Sequence, residues 1–226
     1  ISWKMRVIYL HQYFNTPEMP GGTRSYELAR RLVQFGHEVR VVTSSRDAAD
    51  GGWRVTNEDG IEVHWLPVPY SNFMGFRERL NAFTHFATHS AVRSYRLPGD
   101  VIYATSTPLS IAFPALIASV PKRRPMVFEV RDLWPLVPIA LGVVRNPIVI
   151  RGAQFVERIA YHSSATVVGL SPGMVEHVER TSRNRVRTEL IPNGCDLDRF
   201  GVAYDEAAKR IGEHHPWALA DARPLL

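Results

Sequence analysis

Apolar side chains along this chain cluster with two different periods, and the two alternate. Short runs such as Val7-Ile8-Tyr9-Leu10 have the continuous apolar character of buried strands. Between them the spacing lengthens: Tyr26, Ala29 and Val33, joined by Leu28 and Leu32, fall on one side of a helix that stops at Gly36, a residue suited to a left-handed helix cap. Carried along the chain, the short period predicts strands over 6–10, 38–43, 61–66, 101–104, 126–130, 165–170 and 188–191. The long period predicts helices over 25–35, 76–95, 109–120, 150–163 and 173–181. Residues 46–60 are polar and contain glycine, which fits a loop or a hairpin. Strands alternating with helices imply an α/β fold, a doubly wound parallel sheet covered on both faces. Such a sheet binds ligands at the carboxyl ends of its strands, so functional residues are expected just after strands.

Composition adds bounds. With 226 residues and 45% hydrophobic content the chain can bury a substantial core. No run of about 18 uninterrupted apolar residues is present, and the segment from Ile1 to Met5 lacks the character of a signal peptide, with Met5 the expected natural start. A single cysteine, Cys195, excludes an internal disulfide and fits a reducing compartment, so a cytoplasmic location is the expectation. The net charge of +5 suits an anionic partner, whether a membrane surface, a phosphorylated substrate or nucleic acid. Past residue 200 a helix is predicted over 204–211, and Arg223-Pro224-Leu225-Leu226 breaks off as an apolar strand begins, which suggests a further domain.

The candidate chemistry lies where strands give way to loops. Pro20-Gly21-Gly22-Thr23-Arg24 places a glycine turn at a helix start, where close backbone approach and unpaired N–H groups favour a phosphate. The G-x-G-x-x-G spacing of dinucleotide folds is absent, and the same glycines would also serve a tight corner. Asp132 directly follows the strand 126–130, where a carboxylate can accept a hydrogen bond from a substrate hydroxyl or cap the loop before Trp134 and Pro135. Glu129 and Arg131 need partners if buried, and Arg131 can also grip a phosphate through two parallel bonds. His11 follows the first strand, as a cleft residue or a core histidine.

Other motifs point less far. His85 and His89 have the i, i+4 spacing of a metal pair, but no third ligand is near in sequence. Residues 72–96 carry Phe76, Leu80, Phe83, Ala87 and Ala91 at helical spacing beside Arg77, Arg79, Arg93 and Arg96. That is the make-up of an interfacial helix, or of a packed helix with solvated arginines.

Three segments read together: Tyr9-Leu10-His11-Gln12-Tyr13-Phe14 leading to Gly21-Gly22-Thr23-Arg24, then Glu129-Val130-Arg131-Asp132-Leu133-Trp134-Pro135, then Ile191-Pro192-Asn193-Gly194-Cys195-Asp196. Over about residues 5–200 they resemble the N-terminal half of family 4 glycosyltransferases, retaining enzymes of GT-B fold, in particular bacterial ones of O-antigen, capsule or exopolysaccharide synthesis. The resemblance implies a Rossmann-like acceptor-binding domain over 1–200, with a linker and the start of a donor-binding domain over 201–226. It implies Gly21, Gly22 and Arg24 at the donor diphosphate, His11 and Arg131 at the acceptor, and Asp132 as the catalytic residue. A His-Asp pair of many relatives is Arg131-Asp132 here. The implied partners are a nucleotide sugar, a polyprenyl-diphosphate-linked saccharide and an anionic membrane surface at the inner face of the cytoplasmic membrane, met by Phe76, Arg77, Arg79, Phe83, Arg93 and Arg96. No cofactor, metal or nucleic acid is expected, and Asp196-Leu197-Asp198, although of D-x-D form, falls in the interdomain segment. A GT-B sugar-nucleotide 2-epimerase and a non-catalytic binding module are the alternatives.

Overall fold

The apolar run after Arg6 becomes β1 (Arg6–Leu10), a central strand whose four apolar residues are all buried. The computed structural model describes residues 3–45, 52–69 and 74–194, together with Lys209 and Glu213. After β1 the chain forms α1 (Arg24–Gln34), β2 (Glu38–Ser45), β3 (Arg54–Glu58), β4 (Ile61–Pro67), α2 (Phe76–Arg96) and β5 (Val101–Thr105). It continues through α3 (Ala112–Ser119), β6 (Met126–Val130), α4 (Leu136–Ala140), α5 (Pro147–His162), β7 (Thr166–Gly169), α6 (Pro172–Ser182) and β8 (Thr188–Leu190). The sheet order is β3-β4-β2-β1-β5-β6-β7-β8, parallel throughout except that β3 runs antiparallel to β4. This is the doubly wound, Rossmann-like α/β architecture that the two periods predict.

Alternation in β1 shows how both faces are covered. Val7 and Tyr9 join Tyr26 and Ala29 of α1 in one core; Ile8 and Leu10 join Ala82 and Phe86 of α2, Ala115 of α3, Tyr161 of α5 and Val178 of α6 in the other. Most expected elements are present, with their ends moved by local chemistry. The helix placed at 150–163 starts at Pro147, because Asn146 accepts hydrogen bonds from the N–H groups of Ile148 (2.9 Å) and Val149 (3.4 Å) and proline suits the first helical position. The one placed at 109–120 opens as a 3₁₀ turn, Leu109–Ile111, before α3. The polar stretch 46–60 contains a hairpin strand, β3, turned through Asp59 and Gly60, both at positive φ. Helix α4 is an addition to the expected elements.

The first compact unit ends at Pro192; beyond that residue Asn193, Gly194, Lys209 and Glu213 are described. Cys195, the Asp196 to Asp198 motif and the expected helix 204–211 lie outside the described residues, Lys209 excepted. Among the described residues no helix is long and apolar enough to cross a membrane, and no group of three His, Cys, Asp or Glu side chains could hold a metal ion.

Candidate functional site

Strand order reverses between β1 and β5, and β6 stands beside them. Loops leaving the carboxyl ends of these three strands meet there, at the switch point where such sheets bind ligands. The loop after β1 carries the glycine turn. Gly21 has φ +135°, and a Cβ on it would lie 2.5 Å from Asn15 Nδ2, so only glycine fits without displacing that side chain. A Cβ on Gly22 would stand 3.9 Å from Arg131 Nη2, an ordinary contact. Gly21 therefore shapes the turn, while Gly22 lays backbone against a guanidinium. Thr23 makes no side-chain cap on α1, so the first-turn N–H groups remain open to an anion at the positive end of the helix.

Arg131 has its backbone N–H donating to Ser106 Oγ (3.0 Å), and Nη1 donates to His11 Nε2 at 3.5 Å. Among the described residues no carboxylate pairs with it. A guanidinium only donates, so His11 Nε2 accepts and its proton sits on Nδ1, which donates to Ser25 Oγ (2.9 Å). Burial, reinforced by the Arg131 charge, lowers His11 to about 3 and keeps it neutral. His11 is 3% exposed and braces Arg131 from behind. Its neighbour Gln12 is also buried, and neither amide atom of its side chain has a hydrogen-bond partner among the described residues.

Arg24 stands differently from its expected place at a diphosphate. Nε and Nη2 donate to Glu129 Oε1 (3.0 and 2.9 Å), while Nη1 and Nη2 reach the carbonyls of Pro192 and Ile191, each at 2.9 Å. Its charge is thus used within the fold, as a tie between the start of α1, the end of β6 and the exit of the chain. Glu129 is fully buried and its other bonds come from the hydroxyls of Tyr103 (3.2 Å) and Thr105 (2.9 Å). This satisfies the carboxylate, as a buried charge requires.

Asp132 is exposed at the end of β6, and Oδ2 accepts a 2.7 Å hydrogen bond from the Thr107 hydroxyl. Thr107 itself has φ +111°, an outlier for a β-branched residue, at the end of β5. Cis peptide bonds precede Pro108 and Pro135 on either side of this pair. Ser25, Ser106 and Thr107 were not among the expected site residues. The polar run Ser106-Thr107-Pro108, directly after a strand, carried the same signal that singled out His11 and Asp132.

The structure thus gathers Gly22, Arg131, His11 and Asp132, and sets Arg24 apart as a structural tie. The residues expected at a membrane lie elsewhere, on α2. There Ala82, Phe86, Ala87 and Ala91 are buried, Ala82 and Phe86 within the core, whereas Leu80 of the expected stripe is 53% exposed. Arg93 donates to His64 Nδ1 (3.1 and 2.8 Å) and covers the Trp53 ring, whereas Arg77 and Arg96 are exposed. Phe83 and Arg79 are half-buried, and the Phe76 side chain lies outside the described residues. His85 and His89 stack at 4.2 Å between ring centroids, with His89 Nδ1 donating to the His85 carbonyl at 2.9 Å.

Residues 21–194, most of the chain and all of the crevice residues except His11 and its neighbours, match the family described as Glycosyl transferase 4-like domain. The chain belongs to that family. This glycosyltransferase domain is similar in fold to a sucrose-phosphate synthase from Thermosynechococcus elongatus, at 14% identity and a TM-score of 0.64, covering 92% of this chain and 52% of that one. It is also similar to an α,α-trehalose-phosphate synthase (UDP-forming) from Burkholderia xenovorans in complex with glucose-6-phosphate (12% identity, TM-score 0.63, 96% and 55% covered). A third is Anabaena HepE in complex with UDP-glucose (16% identity, TM-score 0.52, 92% and 49% covered). The domain spans about half the length of these proteins. No match was found among curated proteins.

Proposed function

We propose that this domain is the acceptor-side half of a retaining glycosyltransferase that moves a sugar from a UDP-linked donor to a lipid-linked saccharide, a polyprenyl diphosphate carrier in cell-surface polysaccharide synthesis. The observation that carries the reading is the convergence, at the switch point, of an uncapped helix start, an arginine without a carboxylate partner and an exposed carboxylate. Similarity to HepE with UDP-glucose supports the donor class.

In this reading the α1 N–H groups and Gly22 face the donor diphosphate. Arg131, fixed by neutral His11, binds phosphate oxygens of the acceptor. Asp132, held by Thr107, accepts a hydrogen bond from the attacking acceptor hydroxyl and orients it. The bond from the anomeric carbon to the diphosphate breaks, the acceptor oxygen bonds on the same face, and the hydroxyl proton passes to the departing phosphate oxygen. Arg24 acts at a distance, by holding α1 and the chain exit at Ile191 and Pro192.

Asp132→Asn in the complete enzyme should lower turnover at least tenfold, about 1.4 kcal/mol on the barrier, with its melting temperature kept. Unchanged turnover with a lowered melting temperature would make Asp132 a structural residue and remove the proposed role.

A further inference from the structure

Helices α5 and α6 both put apolar residues into the core, Ala160 and Tyr161 from one and Val178 from the other. Beside that core they turn polar faces toward a shared space. Gln154, Glu157 and Arg158 on α5, and His177, Arg180 and Thr181 on α6, each follow the i, i+3, i+4 spacing of one helix face. Together they line a cavity of about 450 Å³, within the range of small-molecule pockets. Glu157 is 3% exposed, and its Oε1 accepts from the Tyr161 hydroxyl (3.1 Å) and from His177 Nε2 (2.8 Å). Its Oε2 accepts no hydrogen bond among the described residues, which leaves a buried carboxylate with acceptor capacity to spare.

Around the same space stand Arg158, Arg180, Arg183 and Arg185. Arg180 reaches Glu176 at 3.5 Å in a solvent-exposed pair, whereas the other three side chains have no hydrogen-bond or ion-pair partner among the described residues. Glu157 is the single carboxylate among the described lining residues. Past the end of α6, Arg183 and Asn184 hold φ +55° and +53°, the left-handed conformation for which glycine is the usual residue. A guanidinium is thus kept at Arg183 at a conformational cost. Helix α6 leaves the carboxyl end of β7 at Pro172 and runs 11 residues, about 16 Å at 1.5 Å per residue. Arg183 and Arg185 therefore stand near the opposite ends of the strands from the crevice.

We propose that this cavity is a second ligand site, separate from the crevice, for a small phosphorylated molecule bearing hydroxyl groups, a sugar phosphate by chemical class. Guanidiniums grip phosphate oxygens through paired N–H groups, while Glu157 Oε2 and the Gln154 amide suit hydroxyls. Glu157 repels an anion, so the phosphate belongs at the arginines and the sugar at the carboxylate, with Leu136, Ile139 and Ile150 lining the same cavity beside its C–H face. Pro135, three positions after Asp132, lines it as well, so an occupant touches the segment that leads out of the crevice.

The test is isothermal titration calorimetry of the 226-residue chain with ribose 5-phosphate, inorganic phosphate and ribose. Ribose 5-phosphate should bind at least tenfold more tightly than inorganic phosphate, and ribose should give no heat. Arg183→Gly with Arg185→Gln should weaken binding at least tenfold with the melting temperature kept or raised, because glycine takes the left-handed conformation freely. Glu157→Gln should reduce the advantage over inorganic phosphate while phosphate itself still binds. Arg131→Gln in the crevice should change neither affinity. The proposal is overturned if ribose 5-phosphate does not bind, if it binds no better than inorganic phosphate, or if the double arginine variant binds it as tightly as the wild type. Loss of binding in Arg131→Gln would also overturn it, by placing the ligand in the crevice. It fails as well if the complete enzyme lacks the binding seen with this chain, which would mean that the cavity is covered in the whole protein.

Discussion

Arg131 owes its usefulness to the residue behind it. A histidine in water shares its proton near neutral pH, and a charged imidazole against a guanidinium would push it away; burying His11 removes that conflict by keeping the ring neutral. The arrangement has a pH signature. The folded-state value of about 3 lies below the ordinary 6.5, so between the two the unfolded chain holds a proton that the folded chain refuses. Stability is then full above about 6.5 and falls as the pH drops toward 3, by about 1.4 kcal/mol for each unit by which the two values differ. His11→Gln should flatten this part of the curve, read as the difference in unfolding free energy between about pH 7 and about pH 4. An unaltered slope would mean that His11 already carries its proton in the fold. Position after a strand was enough to single out His11, Arg131 and Asp132 in the sequence. Their division into brace, cation and carboxylate was not legible, because it depends on hydrogen bonds between residues 120 and 25 positions apart.

Between α1 and β6 the link is an ion pair in which the two partners differ. Glu129 is fully buried, whereas the Arg24 side chain is 15% exposed and has two carbonyls besides the carboxylate. Arg24→Gln leaves a buried carboxylate with hydroxyl partners alone and should cost about 3–5 kcal/mol, the range for a buried pair broken from one side. Glu129→Gln keeps an acceptor in place and should cost clearly less, and chemical denaturation of both variants would measure the asymmetry. Equal losses would show that the tie is no stronger than its weakest hydrogen bond. In sequence Arg24 looks like a phosphate ligand because it opens a helix after two glycines; its actual partners lie 105 and 168 positions away. Helices α2 and α4 teach the complementary lesson. The apolar spacing of α2 signals a face without saying what covers it: Ala82 and Phe86 enter the core, while Leu80 stays at the surface. Short, proline-bounded α4 has too few residues to show a period, yet it holds Leu136 and Val137 at the surface.

At the size of the domain, the mostly parallel sheet agrees with the alternation of periods, and the family match to residues 21–194 agrees with the motifs that suggested it. The chain corresponds to about half of each solved relative. In our reading the other half supplies most of the donor site, so residues 1–226 alone should bind UDP more weakly than the complete enzyme and form no product from UDP-glucose with any acceptor. Efficient transfer by this chain alone would refute the division of labour. The central place of β1 has a further consequence, for synthesis. Its two partners, β2 and β5, begin at Glu38 and Val101, so during translation one side of β1 is paired long before the other strand exists. At about 5–20 residues per second the ribosome needs several seconds to deliver β5. Throughout that interval the most apolar strand of the nascent chain is an open edge, and the crevice residues that depend on β5 and β6 are the last to find one another.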